Sequence, residues 1–167
     1  MTKNWKIAEK VIGGFQIIWG ICILILSIWS VKILLDSQLI HLGYNWKDLS
    51  AIKIIRDYHY QFLLPLLTIF SGLALLFAKK SGWLLGIVTS ALSGISMILV
   101  LTKIEARDLE NEILLYTATG LLVLIFTIML GLLLSKPIRS KYNPSKKTWL
   151  IVGVLFTLML LDWFLMN

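Results

Sequence analysis

Cysteine, histidine and charged residues are scarce in this sequence, and each scarcity excludes a kind of protein. Cys22 is the single cysteine among 167 residues, so the chain can form neither an internal disulfide nor a cysteine metal cluster. The two histidines, His41 and His59, have no cysteine partners and no H-E-x-x-H spacing, which leaves a metal site without further ligands. We therefore expect no bound metal.

Motifs for catalysis or nucleotide binding are also missing. The sequence has no phosphate-binding glycine loop followed by Lys-Ser or Lys-Thr, and it has no nucleophile elbow. Met97 and Met129 are more simply explained as core residues than as haem ligands, because the histidines lie outside the apolar runs. The acidic segment 103–112, KIEARDLENE, lacks the glycine turn and alternating ligands of a calcium loop. We predict that the chain is not an enzyme and carries no cofactor.

Long apolar runs dominate what remains. Hydrophobic residues form 58% of the chain and charged residues only 15%, and mean hydropathy is +0.85, whereas soluble domains are about 45–50% apolar and 25% charged. Runs of about 20 apolar residues can cross a bilayer as helices. The sequence therefore predicts one all-α domain, residues 1–167, which is a polytopic transmembrane bundle of about five spans. These lie near residues 11–31, 60–78, 82–102, 113–135 and 148–166.

Two connections between the spans carry patterns of their own. The connection 32–59 is too long for a turn, and Leu49, Ile52, Ile55 and Tyr58 recur in it at helical spacing. We expect an amphipathic helix that either lies in the headgroup plane or extends the second span by two turns. The segment KPIRSKYNPSKK after the fourth span contains two prolines, and we expect it to be a non-helical loop.

Small residues recur every four positions along the third span. Gly82, Gly86, Ser90 and Gly94 form one stripe on which another helix backbone can approach closely. In the fourth span, a second seam with a three-four spacing could face this stripe; it consists of Thr117, Gly120, Thr127 and Gly131. These residues predict helix-packing interfaces, either within the chain or with other copies and partner subunits.

Gln16 and Asp162 are the polar residues of the spans that most need a partner. An amide in lipid serves as a hydrogen-bonding link between helices or lines a pathway, and we favour the link. Asp162 lies near the end of the last run, where its carboxylate either reaches the headgroups or belongs to a functional site. If ions or protons cross this protein, Gln16 and Asp162 are the pair we expect on the path.

Basic residues predict the orientation of the spans. Ten of the 16 Lys and Arg residues are concentrated in three short segments, which precede the first span or follow the second and the fourth. In a five-span chain all three segments lie on the same side of the membrane. The positive-inside rule makes that side cytoplasmic, with the N-terminus inside and the C-terminus outside. We expect contact with anionic lipids, and not with nucleic acid, from Lys79, Lys80, Lys136, Arg139, Lys141, Lys146 and Lys147.

These features predict a small integral protein of the inner (plasma) membrane of a bacterium. It would act through helix–helix assembly, as a homo-oligomer or as an accessory subunit of a larger membrane complex. The alternative is an oligomeric pore or ion pathway, such as a membrane-perturbing effector of a bacterial defence or toxin system. Its water-lining residues would be Gln16, Ser90, Ser93, Ser96, Thr117 and Thr127.

Overall fold

A computed structural model describes residues 3–42, 51–102 and 109–166 of the chain, with side chains placed over 4–37, 58–102 and 113–162. The described residues form six α-helices and no strand. The helices are α1 (Lys3–Leu42), α2 (Ala51–Leu76), α3 (Lys80–Thr102), α4 (Leu109–Leu134), α5 (Lys136–Tyr142) and α6 (Lys146–Met166).

Four of these helices contain segments long and apolar enough to cross a membrane. The segments are Asn4–Ser37, Tyr58–Leu76, Lys80–Thr102 and Ile113–Leu134. A fifth is reached if α5 and the described part of α6 count as one broken span, bent by 107°. The predicted all-α class is confirmed, with four to five helices that suit a multi-pass membrane protein.

The first two helices extend beyond the predicted span boundaries. α1 runs unbroken to Leu42, because Lys32 and Asp36 are compatible with a helix and neither Gly nor Pro interrupts the segment between residues 31 and 42. α2 begins at Ala51, so the second half of the amphipathic segment extends the second span and forms no separate helix. Leu49, the first residue of the predicted amphipathic pattern, lies outside the described residues.

The segment after α4 is helical where a loop was expected. Pro137 lies in the first turn of α5, where the missing N–H has no helical partner to lose. The helix ends at Asn143, whose left-handed φ of 41° and the following Pro144 prevent its continuation. Ile138 and Tyr142, four residues apart, are both buried, so α5 packs onto the end of the bundle.

α1 packs against α2, α2 against α3 and α3 against α4, and α3 lies at the centre between α2, α4 and α6. α2 and α3 are joined by a tight turn at Phe77–Lys79, in which Ala78 has a φ of 53°. This turn, the start of α1 and the elbow formed by α5 lie together at one end, which we call the basic end. At the other end, the far end, α2 begins and α6 finishes.

Candidate functional site

A buried polar cluster around Gln16 joins α1, α2 and α3, and we call it the Gln16 network. Gln16 is 1% exposed; its Nε2 donates to Ser90 Oγ at 3.2 Å and approaches the Gly86 carbonyl oxygen at 3.4 Å. The Ser71 hydroxyl lies 2.9 Å from Gln16 Oε1 and 3.1 Å from the Gly82 carbonyl oxygen, and its one proton serves either acceptor. Polar atoms from three helices therefore satisfy one another inside the bundle.

Glycines allow these helices to come close enough for such bonds. A Cβ added to Gly13 would stand 2.9 Å from the Gly72 carbonyl oxygen, and one added to Gly82 would overlap the backbone at Ala74 and Leu75. Real Cβ atoms do not approach so closely, so glycine is required at both contacts. Within the α3 stripe, Gly82 thus lies against α2, and Ser90 is bonded to Gln16 of α1.

The remaining two residues of the α3 stripe face different neighbours. Gly86 lies where a Cβ would stand 3.2 Å from Ser71 Oγ and 3.3 Å from Leu133. Gly94 faces α4, with Phe126 Cβ at 3.6 Å from the corresponding position. All four predicted stripe residues therefore have neighbours within the chain.

Most of the predicted seam on α4 points away from the α3 stripe; Thr127 alone of its residues lines a groove shared with Gly94. Gly120 and Gly131 have open space where a Cβ would stand, and Thr117 and Thr127 are exposed. The two threonine hydroxyls donate within α4, at 2.7 Å to the Ile113 carbonyl and at 2.8 Å to the Val123 carbonyl. Larger residues of α4 pack inward instead, because they fill the space beside α3; they are Phe126, Met129 and Leu133.

An open groove lies between α3 and α4, next to part of this seam. It has a volume of about 220 Å³ and an almost wholly apolar lining, to which Gly94, Phe126 and Thr127 contribute. Gly94 has no side chain to enter the groove, and a Cβ at this position would stand 3.6 Å from Phe126 Cβ. An apolar side chain or a lipid chain is the kind of group that fits there.

Asp162 has its partner on α2 at the far end. His59 Nε2 lies 3.0 Å from Oδ1 and 2.9 Å from Oδ2 of this carboxylate, and the two side chains are 29% and 32% exposed. Tyr60 and Ser96 lie beside the pair. Asp162 and Gln16 therefore belong to different clusters, and no described hydrogen bond links them. In the sequence, His59 falls in the connection 32–59, and nothing in its pattern indicates a pairing with Asp162.

A second ion pair, also missed in the sequence, lies at the basic end. Glu9 is only 3% exposed, and its Oε2 accepts from Lys141 Nζ of α5 at 2.5 Å. The same ammonium lies 5.1 Å from the centre of the Tyr142 ring. The other carboxylate oxygen of Glu9 and the Tyr142 hydroxyl are buried without a partner among the described residues. The pair joins α5 to the start of α1.

Aromatic residues complete the basic end. Trp83 is fully buried, and its Nε1 donates to the Leu133 carbonyl at 2.8 Å. Its ring stacks on Tyr142 at 5.9 Å and meets Trp149 edge-on at 5.5 Å. Trp83 is buried at this depth because α5 folds over it. It therefore holds α3, α4, α5 and α6 together.

In all three polar clusters the polar groups pair mainly with one another, and the buried groups left without a described partner are Glu9 Oε1 and the Tyr142 hydroxyl. None of the clusters presents a nucleophile held by a base, and the described residues contain no group of three or more metal-ligating side chains. No family model, curated protein or solved structure matches the chain. The surfaces that the bundle leaves open are therefore the features that bear most directly on function.

Proposed function

We propose that this protein is a small integral membrane protein that works through helix–helix assembly, as a homo-oligomer or as an accessory subunit of a larger membrane complex. The observation that supports this proposal is the outer surface of α4, where a Cβ added to Gly120 or Gly131 would meet no atom of the described residues within 4 Å. We call this surface the α4 face; it consists of Thr117, Gly120, Thr127 and Gly131.

The α4 face points away from the bundle. At about 100° per residue, its centre lies roughly 160° around the helix from the inward-facing Phe126, Met129 and Leu133. It is therefore turned toward lipid or toward another protein. The groove at Thr127 borders it, so the face and the groove form a continuous surface.

Glycine on such a surface needs a reason. It destabilises a helix interior by about 1 kcal/mol relative to alanine, and lipid chains do not require a small residue there. A second helix does, because small residues let backbones approach and gain van der Waals contact in the membrane. Gly120 and Gly131 thus support assembly at the α4 face.

The alternative, a conducting pore, receives less support from the same geometry. Gln16, Ser90 and Ser93 are buried inside a single chain, and Gln16 and Ser90 are hydrogen-bonded to each other. Thr117 and Thr127 lie outside, with their hydroxyls bonded within α4. The six hydroxyl and amide residues therefore do not converge on one path, and packing explains them more directly.

We also propose which membrane holds the protein and how its helices are oriented in it. The ten Lys and Arg residues that are concentrated in the three short basic segments all belong to the parts of the chain that form the basic end. The positive-inside rule then favours a cytoplasmic basic end in an inner (plasma) membrane, with five crossings that place the C-terminus outside. Reporter tags fused after Asn167 and before Met1 test this assignment, since five crossings require opposite sides.

Substitution of the α4 face tests the assembly proposal. We expect the double variant Gly120→Ile/Gly131→Ile to lose an oligomer or a co-purifying subunit, as measured by native mass spectrometry in mild detergent. Its fold should survive, because a Cβ at either position would meet no atom of the described part of the chain within 4 Å. The control is Gly153→Ile on α6, which is equally open and lies on another helix. The proposal fails if wild-type protein is a lone monomer, or if the double variant keeps its assembly.

A further inference from the structure

We propose that the basic end is a docking surface for anionic phospholipid headgroups, with α5 as its central element. The axis of α5 turns by 107° from that of α6, so the short helix lies across the end of the bundle. Ile138 and Tyr142 hold its inner side against the core, while Lys136 and Arg139 are exposed on its outer side. A helix placed in this way presents its charges to a membrane surface.

The exposed cations of the basic end have no carboxylate to compensate them. The end contains one acidic residue, Glu9, which is buried and already paired with Lys141. Within the described part of the chain, no ion pair involves the exposed cations, which are Lys6, Lys10, Lys79, Lys80, Lys136, Arg139, Lys146 and Lys147. Their charge is therefore available to an external anion.

Exposed apolar residues directly next to these cations identify the anion as part of a lipid. Val11 follows Lys10, and Phe77 lies two residues before Lys79; both Val11 and Phe77 are exposed. Leu150, three residues after Lys147, is exposed as well. A phospholipid offers hydrocarbon and phosphate at the same boundary, whereas nucleic acid and acidic peptides offer no hydrocarbon layer of that depth.

Arg139 is the residue that best fits a phosphate oxygen pair. Its guanidinium can donate two parallel hydrogen bonds, and its described bonds are all made by its backbone. Lys80 lies near the same elbow, with its Nζ 3.4 Å from the Asn143 carbonyl oxygen. Removal of one basic residue near a membrane surface weakens attraction to anionic lipid about fivefold.

Competition between lipids in native mass spectrometry tests this surface. We expect the detergent-purified full chain to retain phosphatidylglycerol in preference to phosphatidylcholine, and the preference to fall about fivefold in Arg139→Gln. The matched control is Lys32→Gln, since Lys32 is exposed near the opposite end of α1. Equal retention of the two lipids, or an equal loss in both variants, would overturn the proposal.

Two further measurements distinguish lipid binding from phosphate binding and from a folding defect. Inorganic phosphate at millimolar concentration should not displace the lipid; if it does so fully, the surface recognises phosphate alone and the lipid proposal is wrong. Circular dichroism and thermal unfolding should be unchanged in Arg139→Gln, because the described structure gives its side chain no partner. If that variant does not fold, Lys136→Gln, on the same outer side of α5, must show the weaker preference instead.

Discussion

Replacing Gln16 by Met tests whether the Gln16 network holds the bundle together. Methionine keeps the length and most of the volume of glutamine, so the change removes hydrogen bonds and leaves little cavity. Two bonds of good length are lost, those to Ser90 Oγ at 3.2 Å and from Ser71 Oγ at 2.9 Å. The contact with the Gly86 carbonyl, at 3.4 Å, contributes little.

The expected loss follows from these two bonds. Hydrogen bonds between membrane helices contribute about 0.6 kcal/mol each on average, with a maximum of about 1.7 kcal/mol. The Ser71 hydroxyl keeps the Gly82 carbonyl as an acceptor, and Ser90 can donate to its own helix four residues earlier. No buried group is left unsatisfied, so Gln16→Met should lower the free energy of unfolding by about 1–2 kcal/mol.

Reversible unfolding in mixed micelles with increasing dodecyl sulfate measures this value. Ser90→Ala and the double variant complete a double-mutant cycle, for which we expect a coupling energy of about 0.6 kcal/mol between the two side chains. A second variant, Gln16→Ala, should destabilise further, because it adds a cavity to the lost bonds. A coupling energy near zero, or a Met variant as stable as wild type, would refute the network as a structural link.

Two more predictions concern the packing of α1 and α6. Gly13→Ala should destabilise the fold, because its Cβ would stand 2.9 Å from the Gly72 carbonyl, whereas Gly14→Ala meets no atom within 4 Å and should be tolerated. Equal unfolding midpoints for the two variants would contradict the close contact. Asp162→Asn should lower stability by less than about 1 kcal/mol, since the ion pair with His59 is about one-third exposed. A loss of stability well above that in the same micelle assay would mean that water does not screen the ion pair, and it would contradict this prediction.

The helices were predictable because a run of about twenty apolar residues, in a protein this hydrophobic, is the length that crosses a bilayer as an α-helix. Their ends were less predictable. Lys32 and Asp36 suggested a connection, yet a helix continues wherever backbone geometry and exposure allow it. Pro137 suggested a loop, although proline is tolerated in a first turn. Apolar patterns thus define what enters the membrane better than where a helix ends.

The partner of each face could not be derived from its spacing. The stripe of Gly82 and Ser90 indicated close packing, but the pattern of one helix contains no information about which neighbour it meets. The two ion pairs join residues 103 and 132 positions apart. The alternating direction of the spans was a signal that could have predicted which charged residues share an end of the bundle. Five alternating crossings place Glu9 with Lys141 at one end and His59 with Asp162 at the other.

The location of the polar groups narrows where this protein acts. Gln16, Ser71 and Ser90 already satisfy one another, and Trp83 closes the basic end from within, so the described interior offers little to a ligand. Apart from Glu9 Oε1 and the Tyr142 hydroxyl, the features without a described internal partner face outward, as small residues on α4 and cations around α5. Because a neighbouring helix suits the first and a lipid headgroup the second, the activity of this protein should depend on its surroundings in the membrane. A variant of the α4 face that folds and binds lipid but no longer assembles would separate the two surfaces.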